Sequence, residues 1–145
     1  FFESDKITPV QSSGHTIVCG YDVLGRIVAK ELENKGVDFL IISDNLQHVL
    51  LARKRGLNAY FGHLDRLPVL ESLKIEQSKS IIITVNTLKN KQIICDAVLN
   101  YYPNANLIVK INTLEEKSSL ADLKINSFVH AQHETAVLLV KQSIT

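Results

Sequence analysis

The segment Cys19-Gly20-Tyr21-Asp22-Val23-Leu24-Gly25-Arg26 carries the clearest chemical content in the chain. Gly20 and Gly25 stand at the first and third glycine positions of a G-x-G-x-x-G turn. In such a turn the first glycine permits a tight bend, and the third lets the helix pack closely on the strand. The second lets the backbone approach a pyrophosphate held at the helix N-terminus. Here Asp22 occupies the second position. A carboxylate there adds bulk and negative charge where a phosphate would sit, and Arg26 offsets part of that charge. A dinucleotide site also needs an acid about twenty residues on, to hold ribose hydroxyls. Ser43 takes that place, with Asp44 next to it. A second reading of the same residues makes Gly20 and Gly25 turn and packing residues with no ligand.

The elements that must position this turn follow from hydrophobic period. Thr16–Cys19 is a short apolar run ending at Gly20, the pattern of a buried strand. Leu24, Ile27, Val28 and Leu32 recur at helical spacing before Gly36. Phe39–Ile42 predicts a second strand, 46–55 a helix, Ala59–Phe61 a third strand, and Pro68 opens a short helix through Leu73. Ser80–Thr84 is a β-branched run suited to a strand buried on both faces. Ile94, Ala97, Val98 and Tyr101 mark a helix closed before Pro103. Leu107–Lys110 predicts a strand, 115–123 a helix, Phe128–His130 a last strand and 133–144 a last helix. Six strands alternating with helices predict an α/β fold: a Rossmann-like, doubly wound parallel sheet in the order 3-2-1-4-5-6, with helices on both faces. Ligands of such sheets sit at the carboxyl ends of the strands. That places 20–25, 43–45, 62–65 and 84–87 around one crevice.

Composition narrows the function classes. With a formal net charge of +1 there is no basic excess to bind nucleic acid. The longest apolar runs, such as Ile81–Ile83 and Ala136–Val140, are far too short to span a membrane. Cys19 and Cys95 form no CxxC pair and suit a reducing compartment, where they read as small buried hydrophobes. Phe1-Phe2 opens a chain that has no methionine. A start Met is normally removed only before a small residue, so the expectation is a piece of a longer protein. Residues 1–14 read as a polar, Ser/Gly/Pro-bearing linker from an upstream membrane segment, and 15–145 as the folded domain.

Other constellations are thinner. Asp22, Asp44 and Asp65 could converge with His63 on a cation, or remain solvated loop carboxylates. His130 and His133 lack the third ligand a zinc site needs and straddle a predicted strand–loop–helix junction, which favours loop hydrogen bonding. There is no GxSxG, HExxH or P-loop lysine. A dehydrogenase would need a substrate domain for which 145 residues leave no room. The last helix is apolar on more than one face, at Ala136, Val137, Leu138, Leu139 and Val140. A surface helix shows one stripe, so the expectation is packing on its own sheet and on a partner subunit. Complete cover by this domain is the alternative.

The order and spacing of several segments resemble the RCK (regulator of potassium conductance, or KTN) N-terminal domain. These are Val18-Cys19-Gly20-Tyr21, Gly25-Arg26 with Val28-Ala29, Gly62-His63 before Leu70, Ile81–Thr84, Asn90, and Pro103-Asn104-Ala105. The resemblance runs from about His15 to Val140. It implies a non-enzymatic regulatory domain on the cytoplasmic face of the cell membrane. Such a domain assembles with itself as a dimer or gating ring and controls potassium flux through a pore, expected in the same polypeptide. Its alternative form is the regulatory domain of a potassium-efflux antiporter or Trk/Ktr uptake system that binds NAD(H) or ATP. The crevice residues it implies are Gly20, Tyr21, Asp22, Gly25, Arg26, Ser43, Asp44, Gly62, His63, Thr84 and Asn86. Asp22, Ser43 and His63 depart from the nucleotide-binding pattern and weigh against NAD or ATP. Thr84, Lys110 and Asn112 stand where some channel relatives hold calcium with acids, so calcium is not expected there. Two other readings differ in class: a remnant of an NAD-dependent enzyme, and a ligand-free scaffold that only multimerises.

Overall fold

Thr16–Cys19 (β1) is short, uncharged and rich in β-branched residues, and all four residues are buried. It therefore forms the middle of a sheet. In the computed structural model, which describes residues 8–145, β1 pairs in parallel with Phe39–Ser43 (β2) on one side and Ser80–Ile83 (β4) on the other. Ala59–Phe61 (β3) lies outside β2, and Leu107–Ile111 (β5) and Ser127–His130 (β6) continue beyond β4. The six-stranded order is β3-β2-β1-β4-β5-β6, as the alternation of elements predicts.

The helices cover the two halves of this sheet from opposite faces. Val23–Asn34 (α1) and Leu46–Lys54 (α2) lie on the face of β1–β2–β3 that presents Val18, Ile41 and Ala59, joined there by Ala29, Val49 and Ala52. Leu67–Ser72 (α3), a single 3-10 turn at Ile75–Gln77, and Leu88–Tyr101 (α4) cover the other face. Val69, Leu70, Cys95 and Val98 meet Ile17, Ile42, Ile81, Ile83, Leu107 and Val109 there. Each such aliphatic side chain taken from water contributes on the order of 2 kcal/mol. Leu114–Ser119 (α5) adds the contact of Leu120 to this layer.

Several expectations are corrected. The fifth helix ends at Ser119 rather than running to Leu123. No loop separates β6 from the last helix, Ala131–Ser143 (α6), which starts directly after His130. Residues 8–14 of the expected linker are partly docked. Val10 is buried in the core, its N–H donates to Ser72 O at 3.0 Å, and Gly14 N–H donates to Gln77 O at 2.8 Å. Phe1–Ile7 lies outside the described residues.

The largest correction concerns α6. It buries no residue, and Val137, Leu138, Leu139, Val140 and Ile144 stand 47% to 81% exposed. Among the described residues it is therefore neither packed on its own sheet nor covered by the rest of the domain. Its apolar faces are bare because nothing among the described residues reaches them. The sheet has a matching gap. Residues Ile82, Ile108 and Val129 share the face opposite α4 and remain half-buried or exposed, since α1 and α2 cover only the first half.

Candidate functional site

The turn between β1 and α1 shows why its two glycines are there. Gly20 has φ +117, and a Cβ added to it would lie 2.5 Å from Thr84 Oγ1. A Cβ on Gly25 would lie 2.2 Å from the Gly20 carbonyl oxygen. Both positions are closed to any side chain by the chain's own packing, with no ligand required. Asp22 is the N-cap of α1, and its Oδ1 accepts from Gly25 N–H at 3.2 Å. The chain's own carboxylate thus sits on the helix N-terminus, where an anion would otherwise gain from free N–H groups and the helix dipole.

Next to this turn, at the carboxyl ends of β1, β2, β3 and β4, lies a crevice of about 270 Å³. Its polar lining comes from Gly20, Ser43, Asp44, Gly62, His63, Asp65 and Asn90, and its apolar wall from Ile42, Leu64, Val85, Ile93 and Ile94, with Cys19 at the base. It sits at the topological switch point between β1 and β4, where doubly wound sheets bind ligands. Ser43 spends its hydroxyl locally: Oγ accepts from Asn45 N–H at 3.1 Å and tightens the turn into α2. Asp44 is exposed and faces the crevice.

Of the residues singled out by sequence, Gly20, Ser43, Asp44, Gly62 and His63 line the crevice. Tyr21 does not: it is 2% exposed and packs with Val18, Ala29 and Ile41 beneath α1. Asp22, Gly25 and Arg26 belong to the first turn of α1 and are outside the lining. Thr84 is buried and donates Oγ1–H to Cys19 O at 2.9 Å, which ties β4 to β1 behind the glycine turn. Asn86 is drawn to the next strand, where its Oδ1 accepts from Lys110 Nζ at 2.9 Å and Asn112 Nδ2 at 3.1 Å. The apolar wall from α4, Ile93 and Ile94, is not among the crevice residues expected from sequence, where Ile94 serves only to mark the helix. Its signal is an apolar pair one turn into the helix after β4.

Charges near the site are set by burial and neighbours. Burial, with the Asp44 charge adding to it, pushes the Cys19 thiol far up, so it stays neutral and unreactive. Burial pushes the Cys95 thiol up to about 12. Lys110 is lowered by burial and by the Lys91 charge, against the opposing pull of Asp22 and Glu116. Lys91 itself is a surprise. It is completely buried on the apolar stripe of α4 and pairs with Glu116 of α5. Burial would raise the Glu116 carboxyl, but the hydrogen bond and charge of Lys91 and the backbone of Asn112 hold it below its ordinary range.

The histidine pair lies elsewhere. His130 is bonded through Nε2 to Asn112 O at 3.1 Å, and its ring stacks on His133 at 5.9 Å between centroids. Among the described residues no group of three or more metal-ligating side chains comes together. No helix among them is long and apolar enough to cross a membrane.

Residues 16–131 match the TrkA-N domain family. This chain belongs to that family. Its TrkA-N domain is 28% identical over 102 residues to a glutathione-regulated potassium-efflux system protein of Haemophilus influenzae. The alignment covers 70% of this chain and 16% of that protein's length. Among solved structures it resembles the TrkA-N domain of the inner membrane protein ybaL from Escherichia coli. The TM-score is 0.83 at 19% identity, covering 92% of this chain and 98% of the other. The Kef C-terminal domain of Shewanella denitrificans in its AMP-bound form gives a TM-score of 0.72 at 17% identity, covering 90% and 78%. The GsuK channel bound to NAD gives 0.75 at 21%, covering 83% of this chain and 22% of that one. At these identities the structural matches establish a shared fold.

Proposed function

We propose that this TrkA-N domain is a regulatory module for potassium flux, attached to a membrane protein and working at its cytoplasmic face by binding and self-assembly rather than catalysis. The observation that carries the reading is the family match over 16–131 together with sequence similarity to a potassium-efflux protein. That similarity puts an efflux antiporter first. A channel is the second reading, favoured by the fold shared with GsuK. The ligand class we propose for the crevice is an adenine nucleoside moiety, the part common to the AMP and NAD of the two ligand-bound structural neighbours. The apolar wall suits a flat base and Asp44 suits ribose hydroxyls.

Self-assembly completes the fold. The bare apolar faces of α6 and the uncovered Ile82–Ile108–Val129 face are the two halves of an unmade contact. We take a second copy as the occupant of both. A crevice ligand that prefers one arrangement of the paired domains then shifts their population, and the movement passes to the membrane part.

The test is potassium flux from vesicles carrying the whole protein, with and without residues 16–145. Flux that loses its response to adenine ligands on deletion supports the reading. Flux and response both unchanged contradict it.

A further inference from the structure

The lining of the crevice is short of positive charge. Among the described residues that line it are two carboxylates, Asp44 and Asp65, and one imidazole, His63, but no lysine or arginine. A site that holds a phosphate normally supplies cations, free N–H groups at a helix N-terminus, or both. Here the helix N-terminus beside the crevice is occupied by Asp22, whose carboxylate accepts from Gly25 N–H at 3.2 Å. Arg26 lies outside the lining, and Lys110, whose charge is felt at Asp22, is bonded to Asn86. A 5′-phosphate placed against α1 would face the Asp22 carboxylate and find the Gly25 N–H already engaged.

Two of the three glycines persist because a Cβ at either would strike Thr84 Oγ1 or the Gly20 carbonyl. The second glycine of the motif, whose role in such turns is to admit a phosphate, is the one replaced, by Asp22. The crevice, of about 270 Å³, has room for one base and one sugar.

We infer that this crevice selects an adenine nucleoside over its 5′-phosphates, and that the Asp22 carboxylate, docked on the first turn of α1, is the group that excludes the phosphate. This rests on the adenine reading above. The two are separated by titrating the 145-residue chain calorimetrically with adenosine, AMP, ADP and NAD at fixed ionic strength, for wild type, Asp22→Asn and Asp22→Gly. Asparagine keeps the cap and removes the charge, and glycine at an N-cap is well tolerated, so both variants fold.

The expected result is wild-type binding of adenosine at least tenfold tighter than of AMP, with the ratio falling tenfold or more in Asp22→Asn and further in Asp22→Gly. AMP bound as tightly as adenosine by wild type overturns the inference and leaves the adenine reading standing. An adenosine preference that survives both substitutions overturns the role of Asp22. No binding of any of the four by any variant overturns the adenine reading and the inference together.

Discussion

The two halves of the sheet are finished differently. Around β1, β2 and β3 both faces are covered from within the chain, by α1 and α2 on one side and by α3 and α4 on the other. Beyond β4 only one face is covered, and α6 leaves the last strand with its apolar side chains in the open. The first half explains itself. Its glycine turn, which reads as a phosphate cradle, is held by contacts with Thr84 and the Gly20 carbonyl. The second half keeps apolar surface that nothing among the described residues covers. A motif that suggests a ligand can therefore belong to the fold, while an apolar helix that suggests a core can belong to an interface.

Substitutions that strike the closed half should have the largest effect. Gly25→Ala puts a Cβ 2.2 Å from a backbone oxygen, and backbone cannot swing aside as a side chain does. The expected loss is at least about 3 kcal/mol in urea unfolding. A loss below about 1 kcal/mol would show that the turn is looser than described.

Next is the bond between α4 and α5. Lys91→Met keeps the apolar stem in its buried slot but leaves Glu116 without its cation, for an expected loss of about 2 kcal/mol at neutral pH. The pH dependence has a definite sign. A carboxyl held below its ordinary 4.5 contributes stability that is present above that value and lost as pH falls through its lowered folded value. Wild type should therefore lose stability on acidification through that window, and the Lys91→Met chain should lose less. Equal acid sensitivity in both would refute the pairing.

A smaller effect is expected at the cap. Asp22→Ala removes the acceptor of Gly25 N–H and should cost about 1 kcal/mol, while Asp22→Gly costs a few tenths. Thermal unfolding of the two variants side by side would test it. Equal losses would show that the carboxylate does not cap α1.

How much of this was legible in the sequence divides along the same line. The strand order and the carboxyl-end location of the crevice were legible because they rest on periodicity and handedness, which are local or nearly so. The inward turn of Tyr21 was not. It follows from the backbone reversal at Gly20, after which the next side chain meets the core under α1. Buried Lys91 shares the spacing of Cys95 and Val98 on the core stripe, but its partner Glu116 lies 25 residues away and only the fold brings them together. The apolar character of α6 was plain. Its bareness was not, since pattern reports what a helix wants to bury and not which chain supplies the cover.

Completion of the open half by a second copy is checked by sedimentation velocity of the chain beside its Leu138→Glu/Leu139→Glu variant. Both side chains are well exposed, so the variant should unfold within about 0.5 kcal/mol of wild type. The expected result is a dimer or larger ring for wild type and a folded monomer for the variant. A wild-type monomer at high concentration, or an assembly indifferent to both charges, would contradict it.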